Sequence, residues 1–147
     1  MKQRYLLILT TAFLLLLSAC DIYRSDNGDL DGLWQLTTIE NLRTGESNDA
    51  RESQVTWGIQ GPLLELRASG VRIVYAKFEH IGSSLVLREL CFSGRHDSDW
   101  GDKPVQDPSE LHIYGIYRLE EYFKVLELSS DVMRLESTDV RLMFRKY

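Results

Sequence analysis

The chain has 147 residues, with 17 Lys and Arg against 22 Asp and Glu and a formal charge of −5 at pH 7. An acidic balance without a basic face or a polybasic run excludes an ordinary nucleic-acid partner and adhesion to anionic headgroups through charge. The length suits one domain with one core.

Lys2 and Arg4 open the chain and are followed by an apolar and small-residue run over residues 5–17. This is the basic start and hydrophobic centre of a signal peptide. Its apolar stretch is about thirteen residues where a stable membrane span takes roughly twenty, so cleavage is expected rather than a permanent helix. The run ends in Leu17-Ser18-Ala19-Cys20, which resembles the lipobox of bacterial lipoproteins. The resemblance implies that residues 1–19 are removed, that the Cys20 thiol receives a diacylglyceryl group, and that the new amino group is acylated. Two or three chains, at about 0.8 kcal/mol per buried methylene, make a stable anchor where one binds only marginally. The expected location is the cell membrane or the outer membrane. With Cys20 consumed, Cys91 has no partner within its own chain. Placed in the apolar run 85–92, it is expected to be a buried, inert thiol.

Residues 20–31 are polar, acidic and rich in turn formers, and read as the lipidated cysteine and a flexible tether. From Gly32 to the end, short β-branched and aromatic runs alternate with Gly, Pro, Asn, Asp and Ser, the pattern of an antiparallel β domain over residues 32–147. Eight strands are expected, at 32–40, 54–60, 63–68, 71–80, 84–92, 122–129, 132–137 and 140–146. Period-two alternation puts Val55, Trp57 and Ile59 on one face, with Met133 and Leu135, and Val140, Leu142 and Phe144, doing the same later. In the fourth run the apolar set passes from Tyr75 to Ala76 and Phe78, which predicts a bulge near Ala76. Short turns join most neighbours, so consecutive strands should pair. Asp107-Pro108-Ser109-Glu110, with Gly115 as a stop, predicts one short helix at Pro108–Tyr114. Eight up-and-down strands avoid open edges by closing, so the expected fold is all-β, an eight-stranded antiparallel barrel with one short helix.

Gly32-Leu33-Trp34 at the start of the first strand resembles the Gly-x-Trp motif of lipocalins and of the lipocalin-like lipoproteins of Bacteroides and relatives. Tyr114-Gly115-Ile116, Met133-Arg134-Leu135 and residues 141–146 are similar to the closing half of that group. The Thr-Asp-Tyr-like stretch of the usual lipocalin middle is absent. The resemblance implies that Trp34 plugs one barrel end, with Arg145 or Arg141 packed over its ring. Such a cation–π contact is physically sound.

No nucleophile–base pair, phosphate-cradling glycine loop or zinc-binding His-Glu-x-x-His occurs. His80, His96 and His112 lie sixteen residues apart, without the spacing of paired ligands, and the acidic loop at 96–102 departs from a calcium loop at its glycine and its twelfth position. No metal, no cofactor beyond the covalent lipid and no nucleic acid are expected. A non-enzymatic envelope lipoprotein is expected, first as an open binding barrel, with a filled barrel as the alternative and a hydrolase behind both. An open barrel would hold a small apolar or amphipathic molecule, with Trp57, Tyr75, Phe78 and Phe144 as lining and Trp100 as a lid or exposed anchor. A filled barrel would act as an interaction or assembly module for an envelope protein partner. A hydrolase of envelope polymers would need carboxylates converging in a cleft.

Overall fold

The computed structural model describes residues 25–94 and 101–147. The signal peptide, Cys20, His96 and Trp100 lie outside the described residues. Among the described residues ten strands are formed: β1 (Gly32–Asn41), β2 (Ser47–Asp49), β3 (Thr56–Gln60), β4 (Leu63–Arg67), β5 (Val74–Ile81), β6 (Ser84–Phe92), β7 (Lys103–Pro104), β8 (Glu121–Leu128), β9 (Val132–Glu136) and β10 (Val140–Lys146). Eight of them follow one another in the order β1-β3-β4-β5-β6-β8-β9-β10, and β10 pairs back onto β1. The result is a closed antiparallel barrel. Closure leaves the eight main strands without free edges, and period-two alternation then sends one side chain in two to the interior.

That interior is the hydrophobic core. Trp34, Leu36, Trp57, Leu64, Leu66, Val74, Leu85, Leu87, Met133, Leu135 and Leu142 are all fully buried. The outward positions between them carry ion pairs such as Arg134 with Glu127 and Arg67 with Glu65. The short β2 pairs with the second half of β1, and β7 with the end of β6. Neither was expected, because each is brief, exposed and without an alternating apolar face.

The expected irregularity at Ala76 sits on the facing strand. Tyr75 pairs with Cys91 and Lys77 with Arg88, so the extra residue belongs to β6. Glu89 adopts φ +51 there, a left-handed conformation costly for a residue with a side chain. The bulge restores Leu90 and Phe92 to the interior and turns Cys91 outward, where it is half-buried rather than buried. Burial still pushes its thiol pKa up, which disfavours the reactive thiolate. At β5 the chain starts pairing at Val74 rather than residue 71, because Gly70 at φ +72 and the Val71 N–H bond to the Ala68 carbonyl extend the preceding turn.

Candidate functional site

Both mouths of the barrel are closed by segments of the chain itself. At the mouth where the chain enters, a 3-10 turn at Gly28–Leu30 inserts Leu30, which is fully buried, and the Leu30 carbonyl accepts a 2.8 Å bond from Trp34 Nε1. Asn27 Nδ2 donates to the Gly61 carbonyl at 2.8 Å and to Asp31 at 2.7 Å. Residues 25–31 thus pack on the barrel as its lower seal rather than forming the free tether that their polar composition suggests.

Trp34 is fully buried at this end, and the cation over its ring is Lys146, with Nζ 4.6 Å from the ring centroid. Neither expected arginine takes that place. Arg145 donates to Gln35 at 3.2 Å, and Arg141 pairs with Glu40 at 2.8 Å and Glu136 at 2.7 Å, all on the outer wall. The reason is parity. Leu142 and Phe144 point inward, so Lys146 does too, and in the β1–β10 ladder it stands opposite Trp34. Lys146 Nζ also donates to the Asp29 carbonyl at 2.8 Å, tying the entry turn to the last strand. Gly32 makes room for this: its φ is +131, and a Cβ there would come 2.8 Å from Lys146 Cε. The Gly-x-Trp triplet therefore supplies both the ring and the space for the cation that covers it.

The far mouth is closed by the segment between β6 and β8. Asp107 caps its 3-10 helix, Pro108–Tyr114, by accepting from the Ser109 N–H at 2.9 Å, as the sequence predicts. Gly115 ends it at φ +80, where a Cβ would come 2.5 Å from Leu142 Cδ2. Leu111, Tyr114 and Ile116 enter the barrel and are fully buried. Tyr114 donates its hydroxyl to the Arg72 carbonyl at 2.8 Å, and burial pushes its phenol pKa up to about 12. An ionic latch follows the plug. Arg118 reaches Asp139 at 2.6 Å and Glu121 at 3.4 Å, Arg43 pairs with the other Asp139 oxygen, and Glu121 accepts from the Tyr117 and Arg118 N–H groups. Glu121 and Asp139 are both buried. Around Asp139 burial raises the carboxyl pKa, but Arg43 and Arg118 outweigh it and hold the group below its ordinary value.

Between the plugs, the expected lining residues divide. Trp57 and Phe144 pack as a tilted ring pair in the barrel with centroids 4.9 Å apart, and Phe123 meets Trp57 edge-on at 5.8 Å. All three are almost wholly inaccessible, and Trp57 Nε1 donates to the Tyr114 carbonyl of the plug at 3.3 Å. Phe78 is half-buried against the same core. Tyr75 goes the other way, because its neighbours Val74 and Ala76 point inward. It lines an open groove of about 740 Å³ on the outer wall, with Leu33, Gly58, Leu63, Glu65, Gln60, Asp31 and Ser25. Gly58 deepens this groove by leaving a gap between Leu33 and the β4 backbone. Sequence reading missed it, since its residues come from four strands and none is conspicuous alone. Among the described residues, no group of three or more His, Cys, Asp or Glu side chains is placed to hold a metal ion.

The comparisons with known proteins agree with this architecture. A family model described as a lipocalin-like domain matches residues 15–147. The chain is similar to the crystal structure of a lipocalin-like protein from Bacteroides uniformis, at 22% identity and a TM-score of 0.60, covering 82% of this chain and 100% of that one. It is also similar to an uncharacterized protein from Bacteroides eggerthii, at 19% identity and a TM-score of 0.56, covering 80% of this chain and 98% of the other. At these identities the likeness speaks for the fold alone. No curated protein matches the chain. A closed eight-stranded barrel, a buried Gly-x-Trp tryptophan under a cation from the last strand, and a family match over residues 15–147 place the chain in the lipocalin-like domain family.

Proposed function

We propose that this protein is a non-enzymatic, lipid-anchored module of the cell envelope whose barrel is a filled scaffold and whose contacts with an envelope protein partner are made through its outer surface. The observation that carries the reading is the packing of Trp57 against Phe144 and Phe123 between two plugged mouths. An eight-stranded barrel has room either for its own side chains or for one small ligand. Here large aromatic rings occupy that room. The outer wall supports the same reading, because Tyr122, Leu126 and Met143 stay exposed there beside the Arg134–Glu127 ion pair, the mixed apolar and polar surface typical of protein contacts. The anchor rests on the Leu17-Ser18-Ala19-Cys20 sequence.

A second reading keeps a small apolar or amphipathic molecule inside the barrel, in line with what lipocalin-like barrels often do. The observation in its favour is the far plug, a short 3-10 segment held from outside by Arg118 and Asp139, which would admit a ligand on swinging out. Titration with an apolar fluorescent naphthylamine dye separates the two. The filled scaffold predicts no saturable site in the wild type and one new site in Trp57→Ala, where a cavity the size of the indole opens. Saturable one-to-one binding by the wild type, lost in Trp57→Ala, would establish the internal ligand site instead. The mass of the N-terminal peptide from membrane-extracted protein tests the lipid at Cys20 directly.

A further inference from the structure

We propose that the entry end of the barrel rests on a neutral lipid surface, with Leu63 and Ile81 at two hairpin tips and Leu33 and Tyr147 beside the chain entry forming the contact; this rests on the reading of Cys20 as the lipid anchor. These side chains are 51%, 67%, 44% and 69% exposed respectively, although all are large and apolar or aromatic. Hydrogen bonds gather this end of the molecule. Asn27 bonds Gly61 in the β3–β4 turn, Lys146 bonds Asp29, the Lys146 N–H bonds Asp131 in the β8–β9 turn, and the Tyr147 N–H bonds the Leu33 carbonyl. Up-and-down order puts the β5–β6 turn, with Ile81, at the same end.

The length of chain before the barrel says what covers this surface. Ser25 already lies against the barrel wall, in the groove beside Leu33 and Leu63. Only residues 21–24 separate it from Cys20. Five peptide steps reach at most about 18 Å when fully extended. An acylated Cys20 therefore holds this end, and not the far mouth, next to the lipid. The far mouth is also the wrong surface for lipid, closed as it is by Arg43, Arg118, Glu121 and Asp139. Asp29, Asp31 and Asp131 outnumber Lys146 and Arg145 at the entry end and repel anionic headgroups, which is why the surface it suits is a zwitterionic one, met by the apolar tips rather than by charge.

The test uses full-length protein matured in a bacterial host, extracted from its membrane and returned to phosphatidylcholine vesicles. In a Cys91→Ala background, single spin labels are placed through Leu63→Cys, Ile81→Cys and, at the opposite end, Leu119→Cys. Collisions with oxygen, which partitions into lipid, are compared with collisions with a water-soluble nickel chelate. The proposal expects the first two labels to favour oxygen over nickel several-fold more than the third does. Vesicle-bound protein whose three labels all meet the nickel chelate alike overturns the orientation and leaves the anchor intact. Protein that does not float with the vesicles at all overturns the anchor reading, and the orientation with it. Adding phosphatidylglycerol is expected to reduce the oxygen preference at Leu63→Cys and Ile81→Cys; an increase would contradict the neutral-surface assignment.

Discussion

Lys146 covers Trp34 because the two are register partners on adjacent strands and share a direction into the barrel. Replacing Lys146 by Ala removes a cation–π contact and a bond to the Asp29 carbonyl, and is expected to cost about 1–2 kcal/mol in chemical denaturation. Arg145→Ala, one residue away on the outer wall, should stay within about 0.5 kcal/mol of the wild type. That pair of measurements distinguishes the inward cation from its outward neighbour. Trp57 carries a larger share. Its removal as Trp57→Ala leaves Phe123 and Phe144 facing a void and should lower stability by about 3–5 kcal/mol. The inward direction of Trp57 was legible from its alternation with Val55 and Ile59, and that of Lys146 was equally legible from Leu142 and Phe144. The resemblance to the lipocalin-like group instead directed attention to the arginines, against the parity that the same strand displays.

Among the elements, the plug at Pro108–Tyr114 was legible to the residue, because an Asp-Pro cap and a terminating glycine are local instructions. Gly115 is the least replaceable part of it. Gly115→Ala meets both φ +80 and Leu142 at 2.5 Å, so it should destabilise by more than about 2 kcal/mol and loosen the far mouth, read as faster hydrogen exchange at residues 111–117. The bulge in β6 was legible as a phase change but was expected on β5, since a phase change in one strand reports a mismatch without saying which partner carries the extra residue. Glu89 at φ +51 makes a simple comparison available. Its ion pair with Lys77 is exposed and contributes little, so Glu89→Gly should be neutral or stabilising by up to about 1 kcal/mol, whereas Glu89→Val should destabilise by about 1–2 kcal/mol. Equal thermal shifts for the two variants would show that backbone conformation at this position is not what sets its cost. The strands β2 and β7 lacked any such signal, being short additions that pair only where β1 and β6 run past their barrel neighbours.

At the scale of the whole molecule, closure of the barrel brings the β1–β2 turn, the plug and the β9–β10 turn together, and Asp139 is the group on which Arg43 and Arg118 meet. Its carboxyl titrates below the ordinary value in the fold, so the stability it contributes is complete above about pH 4, the unfolded value. That stability is lost as the pH falls through the lower folded value. Asp139→Asn should therefore be clearly less stable than the wild type at pH 6, with the gap narrowing toward pH 2.5 in parallel denaturation curves. A gap that stays constant with pH would assign the effect to packing. What the amino-acid sequence determined by itself was whatever is written locally: the alternation that sorts inside from outside along a strand, the turns that make consecutive strands pair, the cap of the plug, and hence an eight-stranded closed barrel. Tertiary structure alone decided that Trp57, Phe123 and Phe144 pack together between two plugged mouths, which side of the β5–β6 pair holds the bulge, and that Tyr75 belongs to an outer groove. These depend on how side chains from strands distant in sequence share one volume, and volume is filled by all of them together rather than by any segment alone.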